Sequence, residues 1–323
     1  ALALALYFTP VIRKGALQYG VVDAPDGKLK VHGTPVAYLG GVAIFLSFLF
    51  ALSLTYTFNA RVLALLLASS IIVMLGLFDD LKVLTPGAKI LGQLVAASVL
   101  IKADIMIHLS FLPEWAALVL TVLWLIGTTN AINLIDVSDG LAGGVSAIAG
   151  AFLLTVSIWN GQSDLAVAAA ALFGATLGFL AYNRPPASIY LGDTGSMLLG
   201  FVLGALAMSN HYTFNHPVAA FAPAVILGVP IFDTFFVMAV RSHMGIPVMQ
   251  GSPDHFAVRM RRHGLSSWTI ALAGYGAAGG LGGAALAICV APLNAALGIL
   301  GAVVITAIGV AVGLLKWGRG PGS

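Results

Sequence analysis

The sequence predicts an all-α, polytopic integral membrane protein with about ten or eleven transmembrane helices, and three observations carry that expectation. First, 59% of the 323 residues are hydrophobic and 8% charged, with a mean hydropathy of +1.01. Soluble domains carry roughly 25% charged residues, so 15 cations and 12 acids are too few to cover a water-soluble chain of this size. Second, several stretches approach or exceed the ~18–20 apolar residues that cross a bilayer. Third, these stretches are rich in Leu, Ala, Val and Gly and lack the alternation of outer-membrane strands. A soluble enzyme, a nucleic-acid-binding module and a disordered chain are excluded. The net charge of +3 includes no dense basic cluster, and one cysteine, Cys289, permits no disulfide framework.

Polar breaks divide the chain into eleven apolar segments, near 1–17, 36–57, 62–78, 89–101, 113–130, 143–159, 165–182, 195–210, 217–240, 267–290 and 294–315. The first, ALALALYFTPVI, is too short to span and is expected to lack its beginning. The last residues, 318–323, resemble a linker or tag scar and are set aside. No linker or repeat divides the rest, so residues 1–323 are expected to form one integral membrane domain.

Alternate loops then fall on alternate sides of the membrane. Thirteen cations lie on one side and only Arg61 and Lys102 on the other, a positive-inside pattern that predicts the first side to be cytoplasmic. Nine of the twelve acids share that side. Acids contribute little to topology, so their bias predicts a polar site at the cytoplasmic helix ends, suited to a metal and a phosphorylated ligand.

Four stretches could carry chemistry. In GLFDDLKVLTPGAK, Asp79 and Asp80 end an apolar span, with Lys89 nine residues after Asp80. Adjacent carboxylates repel unless a cation or metal intervenes, which suits metal binding or general-base work. In TTNAINLIDVSDGLAGG, Asn130, Asn133, Asp136 and Asp139 recur every three residues, a spacing that would keep them near one helical face. Polar side chains at membrane depth usually line a site or cavity. In YNRPPASIYLGDTGS, Asn183 and Arg184 precede a Pro-Pro turn, and Tyr190 leads to Asp193. Such an Asp is suited to N-capping or to Mg²⁺.

The fourth stretch, RSHMGIPVMQGSPDHFAVRMRRHGLSS, places His255 and Arg259 four apart, able to share a helix face and contact a diphosphate. Arg261 and Arg262 there read as topology signals. The first loop adds Asp23, Lys30 and His32 ahead of GTPVAYLGG. No P-loop and no G-x-S-x-G elbow occur.

These motifs, in this order, resemble the polyprenyl-phosphate N-acetylhexosamine-1-phosphate transferases. The resemblance rests on DD with its lysine, NAINLID-x-x-DGLAGG, YNRPPASIYLGDTGS, KVHGTPVAYLGG and GVPIFD-x(7)-R, and covers roughly residues 20–265. It implies transfer of a sugar 1-phosphate from a cytoplasmic UDP-N-acetylhexosamine to a membrane polyprenyl phosphate such as undecaprenyl phosphate. The products are a polyprenyl diphosphate-sugar and UMP, with Mg²⁺ as cofactor, or Mn²⁺ in its place. It further implies the metal at Asp193 with help from Asn133, the uracil stacked on Tyr190, and the uridine recognised at Asp139. Asn183 matches a polar nucleotide-site position, Lys89 a lysine near the phosphates, and Asp79 the residue proposed to deprotonate the lipid phosphate, with Asp80 beside it.

Asp136 and His255 complete the expected catalytic set; Asn130, Arg259, Lys30 and His32 complete the substrate-binding set. A homodimer is one assembly the resemblance implies. The chain departs from the family at Val137-Ser138, where a Gly and a hydrophobic residue are usual, at Leu29 for an Arg, and at Ala257-Val258, where further histidines are common. Loss of the triple-His run favours an N-acetylglucosamine substrate over the phospho-MurNAc-pentapeptide of peptidoglycan synthesis. A transporter, the distant alternative, would place polar groups near the midplane.

Overall fold

The computed structural model describes residues 1–23, 36–55, 59–81, 84–109, 112–245 and 254–317. Among them run thirteen α-helices. The first eight are α1 (Leu2–Gln18), α2 (Gly40–Thr55), α3 (Ala60–Asp80), α4 (Pro86–Lys102), α5 (Glu114–Ile135), α6 (Leu141–Trp159), α7 (Ser163–Asn183) and α8 (Gly192–Ser209). They are followed by α9 (Ala222–Ile226), α10 (Gly228–Met244), α11 (Phe256–Arg262), α12 (Ser267–Val290) and α13 (Leu293–Trp317). Between α1 and α2 lies a short antiparallel pair, β1 (Val22–Asp23) with β2 (Val36–Ala37).

Each of the eleven apolar segments contains a helix. By length and composition seven helices can cross a membrane, or eight if one bent pair counts as a span. The shorter α1, α2 and α4 have 17, 16 and 17 residues. Several starts follow from local chemistry. Asn59 accepts the Val62 N–H at 2.9 Å to cap α3, and Thr85 accepts the Ala88 N–H at 3.3 Å to cap α4, with Pro86 at the first turn. Both satisfy amide groups that the helix itself leaves unpaired.

Two expectations are corrected. Segment 217–240 is not one straight span: a 3-10 turn at Pro217–Phe221 and α9 meet α10 at a 79° bend. Pro217, Pro223 and Pro230 each remove a backbone donor there, which breaks helix continuity. Nor do Asn130, Asn133, Asp136 and Asp139 share one helix. The helix α5 ends at Ile135, Asp136 is its C-cap, and Asp139 lies in the turn into α6.

The helix at the centre is α8, of whose apolar stretch 83% is buried, against 6% for the peripheral α13. It packs against α2, α3, α5, α6 and α7. Close approach depends on glycine. A Cβ at Gly41 of α2 would overlap the backbone of Thr194 and Gly195, and one at Gly76 of α3 the backbone of Asp193 and Thr194. Small residues let helix backbones meet in a bilayer, where no hydrophobic drive pulls helices together.

Gly41→Val and Gly76→Val are therefore each expected to lower stability by about 1–3 kcal/mol or more through overpacking. Gly127→Ala, which meets open space, is expected to be neutral. Thermal unfolding in detergent checks this; equal melting temperatures for all three variants would refute the packing argument.

Candidate active site

One end of the bundle collects the C-terminal ends of α1, α3, α5, α7 and α10 and the N-terminal ends of α2, α4, α6, α8 and α12. Residues far apart in sequence converge there. Lys89 of α4 donates to Asp79 Oδ2 at 2.5 Å and lies 3.9 Å from Asp193 Oδ2. Asn133, from the last turn of α5, donates to Asp193 Oδ1 at 2.6 Å and to Ser196 Oγ at 2.9 Å, and its own Oδ1 faces Lys89 at 3.5 Å. Three of the sequence motifs thus form one connected network.

Asp80 has a different task. Its Oδ1 accepts the Asp193 N–H at 2.7 Å; its Oδ2 accepts the Thr194 N–H at 3.1 Å and the Thr194 hydroxyl at 2.6 Å. A carboxylate from α3 therefore caps the first turn of α8. Gly192, with φ +73°, turns the chain into that helix, and its missing side chain leaves room for the Asp80 carboxylate.

A second group of residues builds the neighbouring loop. The Tyr190 N–H donates to Ala37 O at 2.8 Å, while Gly40 N–H donates to Tyr190 O and Gly41 N–H to Leu191 O, both at 3.0 Å. The loop thus joins the edge of β2 and caps α2. Its Tyr190 ring lies 5.9 Å from Tyr38, and its phenol is pushed up to about 12 by burial and the nearby Asp139 and Asp23 carboxylates, against a downward pull from Arg261. Asn183 is buried between Ile189 O at 2.9 Å and Gly140 N–H at 3.2 Å, and Asp139 Oδ2 accepts the Ala187 N–H at 3.1 Å. Both side chains stitch this loop to the α5–α6 turn. Burial pushes Asp136, in the same turn, up to about 8, with Asp193, Asp80 and Asp139 adding repulsion.

The stretch after α10 docks on the same end. Asp233 is fully buried; its Oδ2 holds His255 Nδ1 at 2.6 Å and its Oδ1 accepts the Phe256 N–H at 2.9 Å. Arg259 is buried as well: it donates to Leu314 O and Asp254 Oδ1, each at 3.1 Å, and lies 5.3 Å over the Phe236 ring. Beside it, between α10, α11 and α13, opens a cavity of about 880 Å³. Phe232, Phe235, Ile308 and Val312 line its apolar part, and Arg262 and Lys316 its cationic end.

Of the residues singled out from sequence, Asp79, Lys89, Asn133 and Asp193 share one network, with Asp80 bonded to its α8 arm. Tyr190, Asn183 and Asp139 form the adjoining loop. Asn130 is turned away into an amide pair with buried Gln93, at 2.9 and 3.4 Å. Lys30 and His32 lie outside the described residues. Sequence reasoning passed over Gln93, Ser196, Tyr38 and Asp233 as site residues. Asp233 had a signal in GVPIFD; Gln93 had only its polarity within an apolar run.

The donor set fits a hard divalent cation. Asp193, Asp79 and Asn133 offer oxygens, the ligands Mg²⁺ prefers. Among the described residues no three His, Cys, Asp or Glu side chains are grouped to hold an ion by themselves.

An all-helical bundle with seven helices able to cross a membrane and a carboxylate–lysine–asparagine network at one end defines a polytopic membrane protein with a polar site at its helix ends. The sequence pattern of glycosyl transferase family 4 matches residues 62–211. The chain belongs to that family, which here comprises the polyprenyl-phosphate N-acetylhexosamine-1-phosphate transferases. It is similar to a probable undecaprenyl-phosphate N-acetylglucosaminyl 1-phosphate transferase of Bacillus subtilis, 36% identical over 276 residues, 82% of this chain and 76% of that one. It is similar also to the decaprenyl-phosphate N-acetylglucosaminephosphotransferase of Mycobacterium tuberculosis, 30% identical over 356 residues, 98% and 88% of the two chains. A phospho-N-acetylmuramoyl-pentapeptide-transferase of Listeria welshimeri is 29% identical over 295 residues, 83% and 87%.

The raised pKa of Asp136 has a sign that can be checked. Its ionised form is disfavoured in the fold, so the cost is absent below the ordinary carboxylate range, grows as pH rises towards about 8, and is complete above it. Asp136→Asn is expected to raise the melting temperature of metal-free protein more at pH 9 than at pH 5. A difference that does not grow with pH would refute the assignment.

Proposed function

We propose that this protein transfers N-acetylglucosamine 1-phosphate from UDP-N-acetylglucosamine to a polyprenyl phosphate such as undecaprenyl phosphate, releasing UMP, at the cytoplasmic face of the inner membrane. The observation that carries this reading is the convergence of Asp79, Lys89, Asn133 and Asp193 at one end of a membrane bundle. The relatives' names supply the chemistry for which such a network is suited. Among the described residues nine of the eleven cations lie at that same end, and only Arg61 and Lys102 do not, which supports its cytoplasmic placement. The apolar cavity with a cationic end beside α13 supports a long lipid bearing a phosphate.

In the reaction, an oxygen of the lipid phosphate attacks the β-phosphorus of the nucleotide sugar, and the bond to the bridging oxygen of UMP breaks. Two anions must meet, so the barrier is electrostatic. Lys89 is shared between Asp79 and Asp193. An incoming phosphate competes for that ammonium and frees the Asp79 carboxylate to accept a proton or orient the attacking group. Tyr190, kept as the neutral phenol, offers a ring face to the base. Bound Mg²⁺, held by Asp193 with Asn133 beside it, would neutralise developing charge on the diphosphate.

Protein in detergent with Mg²⁺, undecaprenyl phosphate and radiolabelled UDP-N-acetylglucosamine is expected to yield a labelled lipid and UMP. UDP-MurNAc-pentapeptide run in parallel decides the alternative raised by the Listeria relative. Asp193→Asn is expected to lower turnover on the order of a hundredfold or more and to blunt its Mg²⁺ dependence. Folded protein that makes no lipid product from any UDP-N-acetylhexosamine would sink the proposal.

A further inference from the structure

Two arginines on α11 point opposite ways. Arg259 is buried against Phe236 and Leu314. Two residues on, roughly 200° around the helix, Arg261 is exposed and reaches back to the α5–α6 turn. Its Nη2 donates to Ser138 Oγ at 2.9 Å and to Val137 O at 3.3 Å. That turn also carries Asp136 and Asp139, and Asp139 and Asn183 bind it to the Tyr190 loop. Arg261 is near enough to Tyr190 to pull its phenol pKa down. Its Nε and Nη1 donors have no partner among the described residues, and a guanidinium's planar fork suits phosphate oxygens.

Two acceptors from consecutive residues of that turn, the Ser138 hydroxyl and Val137 O, hold the same guanidinium nitrogen. Arg262, the next residue, faces the cavity beside α13 instead, so the two adjacent cations are not equivalent.

We propose that Arg261 is a nucleotide-binding residue, held by Ser138 and Val137 O beside Tyr190 so that its free N–H donors meet the diphosphate of the nucleotide sugar. This rests on the nucleotide-sugar reading above and assigns that substrate a contact of its own. It also makes α11 a strap over the bound nucleotide, since the Arg261–Ser138 contact joins it to the α5–α6 turn.

The test is calorimetric binding of UDP with Mg²⁺ to detergent-solubilised protein, alongside steady-state kinetics. Arg261→Ala is expected to weaken UDP about tenfold, the effect of losing one charged hydrogen bond, and to raise the KM for UDP-N-acetylglucosamine to match. The KM for the lipid phosphate should stay within twofold. Arg261→Lys should recover part of the loss. Ser138→Ala should weaken UDP less, and Arg261→Ala with Ser138→Ala should bind no worse than Arg261→Ala alone, because Ser138 acts through the arginine. Arg261→Gln, which keeps an N–H donor for Val137 O without the charge, serves if the alanine variant does not fold. Unchanged UDP affinity in a folded Arg261 variant, or full additivity with Ser138→Ala, would overturn the proposal. Parent protein that binds no UDP would overturn the nucleotide-sugar reading itself.

Discussion

The contact between Asp80 and the first turn of α8 is the constraint on which the rest of the site depends. The first amide groups of a helix have no partner within it, and in a bilayer protein water is a poor substitute. Asp80 satisfies two of them and the Thr194 hydroxyl at once, and its negative charge sits at the positive end of the helix dipole. Because Asp80 belongs to α3, this cap is also a tertiary lock. It sets the depth and rotation of α8 against α3, so that Asp193 points at Lys89 and Asn133 and not along the helix axis. Glycines at 41 and 76 permit the approach, since any side chain there would meet the α8 backbone.

Within the lock, charge is balanced with few groups. Lys89 is the cation between Asp79 and Asp193, and Asn133 joins the same network without adding charge, donating to one carboxylate and accepting from the ammonium. An aspartate at 133 would put a third carboxylate against one lysine; a lysine would compete with any divalent cation. An amide donates and accepts at the same place, which is why asparagine suits the junction. The network remains rich in carboxylate oxygen, with two acids to one lysine.

Much of this was legible in the sequence, and the exceptions share one cause. The eleven apolar segments were readable because membrane crossing is a local property of composition. The motifs holding Asp79, Lys89, Asn133 and Asp193 were readable because acids, amides and glycines are costly at helix ends in a bilayer and need a reason to be there. What spacing could not show is which partner satisfies a polar group. Asn130 and Asn183 read as substrate-facing; the structure bonds them to Gln93 and to the Ile189 and Gly140 backbone. Arg259 read as a diphosphate ligand and is held by Asp254 and Leu314 O, while Arg261, read as a topology signal, donates to Ser138 and Val137 O. A buried polar side chain must be satisfied; Gln93, Gly140, Leu314 and Val137 lie 37 to 124 positions from the groups they bond, out of reach of any local pattern. The break at 217–240 was missed for a related reason: hydropathy measures apolar character and is indifferent to direction.

That break has a consequence for how the site end is assembled. By turning 79° near Leu227, the chain sends α10 away from α9 and back towards the site end. Asp233, buried in α10, then anchors His255 and the start of α11. Arg259 ties α11 to α13, and Arg261 ties it to the turn before α6. The strap is thus fastened to three separate elements, with the apolar cavity along α10 and α13 on one side and the Tyr190 loop on the other. A straight α9–α10 span would carry Asp233 along the bundle axis and leave α11 without its first anchor. The bend therefore leaves one short helix held between the apolar cavity and the Tyr190 loop.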